Sequence, residues 1–383
     1  MKFVIAPDSF KGGMTAKEAA QAIETGLTRV FPKANFVKVP MADGGEGTVQ
    51  SLVDATDGTI FSESVTDPLG KQTSAKFGVL GDKSTAVIEM AEASGIQYVN
   101  NETHNPLIAT TYGTGELILK ALDHNVKTII LGIGGSATND GGAGMAQALG
   151  VNLLNSNNEQ ISFGGGALNT LEKIDTSNID PRVNKAKFII ASDVTNPLIG
   201  PEGASAVFGP QKGATNEMVT TLDKNLSHYA DIIKRDLNKD LANYAGAGAA
   251  GGLGAGLLAF TPAQMQKGID IVIEYSQLKE KAKNADFVFT GEGGIDFQTK
   301  FGKTPYGVAL ATKSVAPNAP VIVVAGNVGK GVESLYSKNS IDAIFSIVPG
   351  VTTIKSALQN GPTNLANATE NIARLIASQS NTD

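Results

Sequence analysis

The sequence contains no cysteine and only three histidines, His104, His124 and His228, among 383 residues. Without thiols there are no disulfides, thiolate zinc sites or cysteine nucleophiles. None of the histidines sits in a glycine-rich loop, so neither a histidine metal cluster nor a Ser-His-Asp device has support. Helix-surface or turn positions suit all three. Basic charge is also in short supply. A net charge of −6 and a pI near 5.3 give nucleic acid or an anionic membrane no electrostatic reason to bind. No stretch approaches the ~20 apolar residues of a membrane span. The opening "MKFVIAPDSF" is too short an apolar run for a signal peptide, and Pro7 ends it. The expectation is a cytoplasmic protein with a small-molecule partner, in which any anionic ligand is held by local donors and a metal.

Glycine, by contrast, is abundant, with 44 residues where average usage would give about 27. The excess lies in clusters such as "LGIGGSATNDGGAGM" (131–145), which continues the apolar run "KTIILGI". A glycine-rich loop brings backbone N–H groups close to a ligand because no Cβ holds it off. Ser136, Thr138, Asn139 and Asp140 add a polar lining suited to phosphate or a small acid. The alternative is a tight strand-to-helix turn with capping side chains.

A chain of this length exceeds one comfortable core, so two domains are expected. The first 57 residues read as β-α-β-α, with Thr15 and Glu18 forming a capping box ahead of the helix "TAKEAAQAIETGLTRVF". The last hundred supply the strands "ADFVFTG", "APVIVVAG" and "IDAIFSIV", each followed by a helix, the final one long, from about Thr353 to Ser378. Five strands with five helices are the inventory of an α/β fold of flavodoxin-like type, a doubly wound parallel sheet. Residues 1–57 and 284–383 are assigned to it. Residues 58–283, with the strands "TIFSESV", "TSAKFGVL", "TAVIEMA", "KTIILGI" and "KFIIASD", form a second α/β domain inserted into the first.

The polar loops follow strands. "PDSFKGG" comes after the first, "PMADGGEGT" after the second, "TGEGGIDFQTKFGK" after the third and "AGNVGKG" after the fourth. In a parallel sheet these loops share the edge beyond the carboxyl ends, and ligands bind where the strand order reverses. Asp8, Ser9 and Lys11 are thus expected to face Glu292 and Asp296. In the insertion, "GIGGSATNDGG" and "SDVTNPLIG" also follow apolar strands, and the simplest geometry sets both groups of loops across an interdomain cleft. The carboxylates Asp43, Asp140, Asp193, Glu292 and Asp296 suit Mg²⁺, and Lys11, Lys212, Lys300 and Lys303 suit phosphate oxygens. That parts list fits phosphoryl transfer to an alcohol, with no covalent intermediate. Two motifs fail in context. "FGKT" (301–304) has Phe297 where a P-loop needs its first glycine, and "GAGAAG" (246–251) follows no strand, as a dinucleotide fingerprint would.

"APDSFKG", "PMADGGEGT", "IEMAEASG", "GIGGSATNDGGAGM", "SDVTNPLIGPEGASAVFGPQKGA", "AGAGAAGGLGAG" and "TGEGGIDFQTKFGKTPYGVA" together resemble the bacterial glycerate kinase family, the type lacking a P-loop. The blocks run in order over nearly the whole chain. The resemblance implies ATP-dependent phosphorylation of D-glycerate, in sugar-acid or glyoxylate breakdown. Its associated product is 2-phosphoglycerate, with 3-phosphoglycerate as the alternative. It also implies a flavodoxin-like domain carrying an insertion.

Roles are assigned from chemistry, motif by motif. Asp193 is the expected general base, with Lys11 and Lys212 as catalytic cations; a turn-forming Asp and a loop lysine are the plain alternatives. Glu292 and Asp296 are expected to hold Mg²⁺, or else to cap the following helix. Substrate or phosphate binding is assigned to Asp8, Ser9, Asp43, Gly44, Gly45, Gly134, Gly135, Ser136, Thr138, Asn139, Asp140, Thr195, Asn196 and Lys303. The rival activity is an NAD(P)-dependent dehydrogenase of a small hydroxy acid, resting on "GAGAAG". A second rival is a non-catalytic protein that closes on a small acid.

Overall fold

The structure, a computed structural model, describes residues 1–380. The chain opens with β1 (Lys2–Ile5), α1 (Ala16–Thr28), β2 (Asn35–Lys38) and α2 (Thr48–Thr56). The expected box starts α1: Thr15 Oγ1 accepts from Glu18 N at 3.2 Å, and Glu18 returns a carboxylate to Thr15 N at 2.8 Å.

There follow β3 (Thr59–Thr66), β4 (Gln72–Val79), β5 (Thr85–Glu89), the one-turn α3 (Ala91–Ser94), α4 (Tyr112–Asp123), β6 (Thr128–Gly132) and α5 (Ala143–Ala148). Then come β7 (Asn152–Leu154), β8 (Lys173–Asp175), β9 (Lys187–Ala191), α6 (Ala204–Phe208), α7 (Asn216–Leu237), α8 (Ala249–Phe260) and β10 (Ala263–Gln266). The chain closes with α9 (Gly268–Tyr275), α10 (Leu278–Ala282), β11 (Phe287–Ile295), α11 (Thr304–Lys313), β12 (Val321–Val328), β13 (Ala343–Ser346), α12 (Ile354–Gln359) and α13 (Gly361–Ser380).

Backbone contacts divide the chain into two compact units, Met1–Asp57 with the segment from Gly268 onward, and Gly58–Lys267. The second crossing falls at 267/268, ahead of the expected 283/284, because α9 and α10 pack on α11. Gly307 of α11 lets Ile269 approach so closely that a Cβ there would lie 2.3 Å from it.

In the first unit all strand pairs are parallel, in the order β13-β12-β11-β1-β2. Numbered within the unit, that is 2-1-3-4-5, the flavodoxin-like arrangement. Phe3, Val4 and Ile5 have no exposed surface, as strands covered on both faces require. One face carries α1 and α13 over Phe3, Ile5, Phe289 and Val324. Phe3 lies within 5.4–6.2 Å of the rings of Phe31, Phe36, Phe287 and Phe289. The single long final helix expected is two helices, since α12 ends at Gln359, capped by Asn360, and α13 begins at Gly361.

The second unit has a six-stranded sheet, β10-β9-β6-β5-β4-β3, parallel from β10 to β5 and antiparallel through β4 and β3. β10 and the small β7–β8 ladder lie outside the five strands read from the sequence. Among the described residues no helix is long and apolar enough to cross a membrane.

α8 shows what its glycines are for. It is buried nearly all round, and its backbone lies directly on the loop that follows β6. A Cβ at Gly256 would stand 2.6 Å from Gly141 O and 2.9 Å from Gly142 Cα; one at Gly251 would meet Thr138 O at 1.9 Å. Two glycine-rich segments are thus packed backbone on backbone. Helix propensity alone makes Gly256→Ala stabilising by up to ~1 kcal/mol. The collision with main-chain atoms outweighs it, and a net loss of about 1–3 kcal/mol is expected in denaturant unfolding. A variant as stable as the parent would show that this contact yields.

Candidate active site

In the first unit the loops after β1, β2, β11 and β12 share the carboxyl edge of the sheet, and β1 pairs directly with β11 at the point where strand order reverses. A cavity of about 1080 Å³ opens there, at the upper end of ordinary ligand pockets, roughly 300–1,000 Å³. Asp8, Ser9, Lys11, Asp43, Glu292 and Lys303 line it. Asp8 is fixed from three sides. Its N–H donates to Gly291 O at 2.8 Å, and its carboxylate accepts from Ser9 N at 2.6 Å and from Thr304 Oγ1 at 2.6 Å. Asp43 accepts from Gly45 N at 3.0 Å, which orders the turn into α2.

These carboxylates crowd one another in a place poor in water. Burial, opposed by the Thr304 hydrogen bond and assisted by Asp43, raises the Asp8 pKa to about 6. Burial also raises Glu292 to about 7; the Lys303 ammonium works against that shift, while Asp8, Asp43 and Asp296 add to it. Carboxylates held this way gain by meeting a cation. Among the described residues no three metal-ligating side chains are grouped tightly enough to hold an ion by themselves. The donors that are present are oxygens, the ligand type of hard cations such as Mg²⁺, which takes one or two carboxylates and completes its shell with water and phosphate oxygens.

Asp296 does something else. It caps the 3₁₀ turn Phe297–Lys300, accepting from Gln298 N at 2.8 Å while its own N–H donates to Thr299 Oγ1 at 3.2 Å. Lys300 lies away from the cavity lining, its ammonium 5.2 Å from the centre of the exposed Phe301 ring. The cavity also uses residues without an assigned role, including Asn327 and the segment 346–358. Asn327 lies in the quoted loop "AGNVGKG"; the 346–358 segment has neither the glycine nor the carboxylate signature that marked the others. Thr304, the partner of Asp8, sits in the "FGKT" that fails as a P-loop.

In the second unit the loops after β6 and β9 are neighbours, since Gly132 pairs with Ala191 at the strand ends. Gly134 and Gly135 are exposed, and a Cβ at Gly134 would meet nothing within 4 Å. Asp193 and Thr195 are also exposed, beyond the end of β9. Asn196 is a structural joint: its side chain donates to Glu202 O at 2.8 Å, and its carbonyl accepts from Gly246 N and Gly248 N. Those are the amides of "GAGAAG", so this segment serves the fold, and the dehydrogenase reading loses its one feature.

Deeper in the loop, Asp140 is fully buried and takes four donors: Thr111 N, Thr111 Oγ1, Gly142 N and Gly144 N, at 2.8–3.2 Å. Burial raises its pKa despite them. Its carboxylate organises the turn and does not line a surface. Lys212 is buried as well, 1% exposed, and donates at 2.6 Å to both Ser136 Oγ and Thr138 O. Burial lowers its pKa to about 7, with Asp140 pulling the other way. It is not the exposed loop lysine that the sequence left open. Asn139 donates to Ser205 Oγ at 2.8 Å. Thr138 Oγ1, Asn139 Oδ1 and the Tyr229 hydroxyl are buried without a protein partner, a set of polar atoms that calls for water or ligand.

A family model described as the glycerate kinase family matches residues 3–377. A protein of Halalkalibacterium halodurans named glycerate kinase is 54% identical, the match covering 97% of each chain. One from Escherichia coli named glycerate 2-kinase is 50% identical over 98% of each. The crystal structure of a Salmonella typhimurium LT2 protein, described under the name glycerate kinase 2, superposes over all of both chains with a TM-score of 0.91 at 48% identity.

A carboxyl whose pKa rises on folding binds more protons folded than unfolded, so it costs stability as pH climbs through the window between the two values. For Glu292 that window runs from 4.5 to about 7. Glu292→Gln is therefore expected to be more stable to unfolding than the parent at pH 8, by on the order of 1–3 kcal/mol. The difference should vanish by pH 4. A difference independent of pH would contradict a desolvated carboxylate at this position.

Proposed function

This chain belongs to the glycerate kinase family, and from that premise we propose that it transfers the γ-phosphoryl group of ATP to D-glycerate, giving 2-phosphoglycerate and ADP. The observation that carries the proposal is identity of about half the residues over nearly the whole length of named glycerate kinases. The E. coli relative's name, glycerate 2-kinase, favours the 2-phosphate over the 3-phosphate.

In this reading the first unit takes the nucleotide. Lys11 and Lys303 meet phosphate oxygens, and the Ser9 hydroxyl with the amide of Gly44 offers further donors, while the Gly45 amide stays with Asp43. Asp8 and Glu292, on adjacent chain segments at the strand-order reversal, would hold Mg²⁺ together with water and phosphate oxygens, with Asp296 left to its cap. Bound there, the cation supplies charge neutralisation for the β- and γ-phosphate oxygens.

The second unit takes the acid. The open amides at Gly134 and Gly135 and the side chain of Thr195 are placed to receive a small carboxylate and its hydroxyls. Asp193 accepts the proton of the attacking hydroxyl, as that oxygen bonds to the γ-phosphorus and the bond to the β-phosphate oxygen breaks. Lys212, with both contacts internal, acts as a positioning residue that fixes Ser136 and Thr138, as Asp140 fixes the turn beyond them.

Two assays test this. ADP release should require D-glycerate and Mg²⁺ together, with phosphorus NMR identifying the 2-phosphate; release indifferent to glycerate would end the proposal. Asp193→Asn should lower kcat by roughly 10²–10⁴-fold with ATP binding intact. An unchanged kcat removes Asp193 as the base.

A further inference from the structure

The cavity of the first unit has a second half that phosphate chemistry does not use. Its acidic and basic lining comes from the loops after β1 and β2, from Glu292 near the carboxyl end of β11 and from Lys303 at the start of α11. The other half is mainly apolar, with Val328 at the end of β12, Ile347 and Val348 after β13, and Val351, Ile354 and Leu358 on the segment through α12. The neutral Asn327, Ser346, Thr352 and Thr353 are interspersed among them. Strand order keeps the two halves apart. β13 is the sheet's outer edge and lies three strand spacings from β1, roughly 14 Å.

The apolar half is not core. Val351 and Ile354 are among the most exposed aliphatic side chains of the protein, at 109% and 81% of full exposure. Both stand on the cavity wall, where a cluster of exposed apolar groups marks a binding surface. The segment is nonetheless fixed in place. A Cβ at Gly13 would touch Leu358 at 3.4 Å, and one at Gly361 would meet Met14 Cε at 2.7 Å, so α12 sits directly over the loop that carries Asp8 and Lys11. The Thr353 hydroxyl accepts from Ser356 N at 3.2 Å and starts that helix.

A nucleoside triphosphate has the same division, an anionic tail and a flat ring of low polarity joined by a ribose. From this match we infer that the purine base of the nucleotide binds on the Val348–Leu358 segment, against Val351 and Ile354, while the triphosphate reaches back to Lys11 and Lys303 at the strand-order reversal. The inference rests on the kinase reading and adds to it the seat of the base. Contact there is by apolar area, so its contribution scales with the surface covered.

The test separates base from phosphate. Binding of MgATP and of inorganic tripolyphosphate with Mg²⁺ is measured by calorimetry on the full chain and on Val351→Ser/Ile354→Ser. Both residues are exposed, so the fold is not at stake. ATP should bind roughly 5- to 50-fold more weakly to the double variant, with tripolyphosphate affinity unchanged. Ala357→Phe, which narrows the same half, should show the same split. Unaltered ATP affinity in both variants, or equal losses for ATP and tripolyphosphate, would overturn the inference. A parent protein that shows the split yet never phosphorylates glycerate would sink the activity and leave the base site standing. Glycerate phosphorylation by a double variant that binds ATP like the parent would do the reverse.

Discussion

Asp8, just past β1, and Glu292, near the carboxyl end of β11, are brought together by neighbouring parallel strands, at the place where the sheet of the first unit reverses its order of addition. Neither faces bulk water freely, Asp43 raises the pKa of both, and Asp8 adds to the shift of Glu292. The fold tolerates this because the surrounding elements are fixed for other reasons: a core of stacked phenylalanines beneath β1, a capping box that starts α1, and Thr304 bound to the Asp8 carboxylate. A fold that keeps such carboxylates partly dehydrated has stored affinity for a cation and its anionic ligand. The nucleotide half of the proposed reaction draws on that stored affinity, whereas a free carboxylate on a loop would have spent it on water.

The second unit reaches rigidity by another route. There the loop after β6 is held by a buried ammonium, a buried carboxylate and glycine-on-glycine contact with α8, with Lys212 and Asp140 each satisfied by protein groups. The Asp140 carboxylate lies near enough to favour the charged form of Lys212 against its burial, although no bond joins them. What this leaves at the surface is small and polar: two open glycines, and the exposed Asp193 and Thr195 beyond β9. A substrate of three carbons needs little more than that, provided that the loop does not move.

Much of this was readable from residue order. The alternation of short apolar runs with helical periodicity gives the five strands of the first unit, and their order follows from the fold they build. Thr15 and Glu18 announce their cap, and the segment "NEMVTTLDKNLSHYADIIKRDL" is helical throughout, as α7. β10 escapes because "AQMQ" is short, follows Pro262 and has no β-branched residue. The break between α12 and α13 depends on one Asn-Gly step inside an otherwise helical pattern. Glycine is the deeper difficulty, because the same residue serves close ligand approach and close packing. Gly134 keeps the first use open, and Gly142 and Gly256 have the second; only tertiary structure separates them. Lys212 is similar, since nothing in "GPQKG" says that its side chain ends buried among main-chain and hydroxyl oxygens. Asp296 was legible as a cap, with Thr299 three residues on, but its nearness to Glu292 made a metal pair the more inviting reading.

The central claim is that Glu292 lends its dehydrated charge to a divalent cation carried in with the nucleotide. The most direct measurement is ATP affinity as a function of Mg²⁺ concentration, for the parent protein and for Glu292→Gln, at a pH above 7.5 where the carboxylate is ionised. The account expects Mg²⁺ to tighten ATP binding to the parent, with most of that gain missing in the variant and metal-free affinity preserved or improved. If Glu292→Gln keeps the full Mg²⁺ enhancement, the crevice does not work in this way.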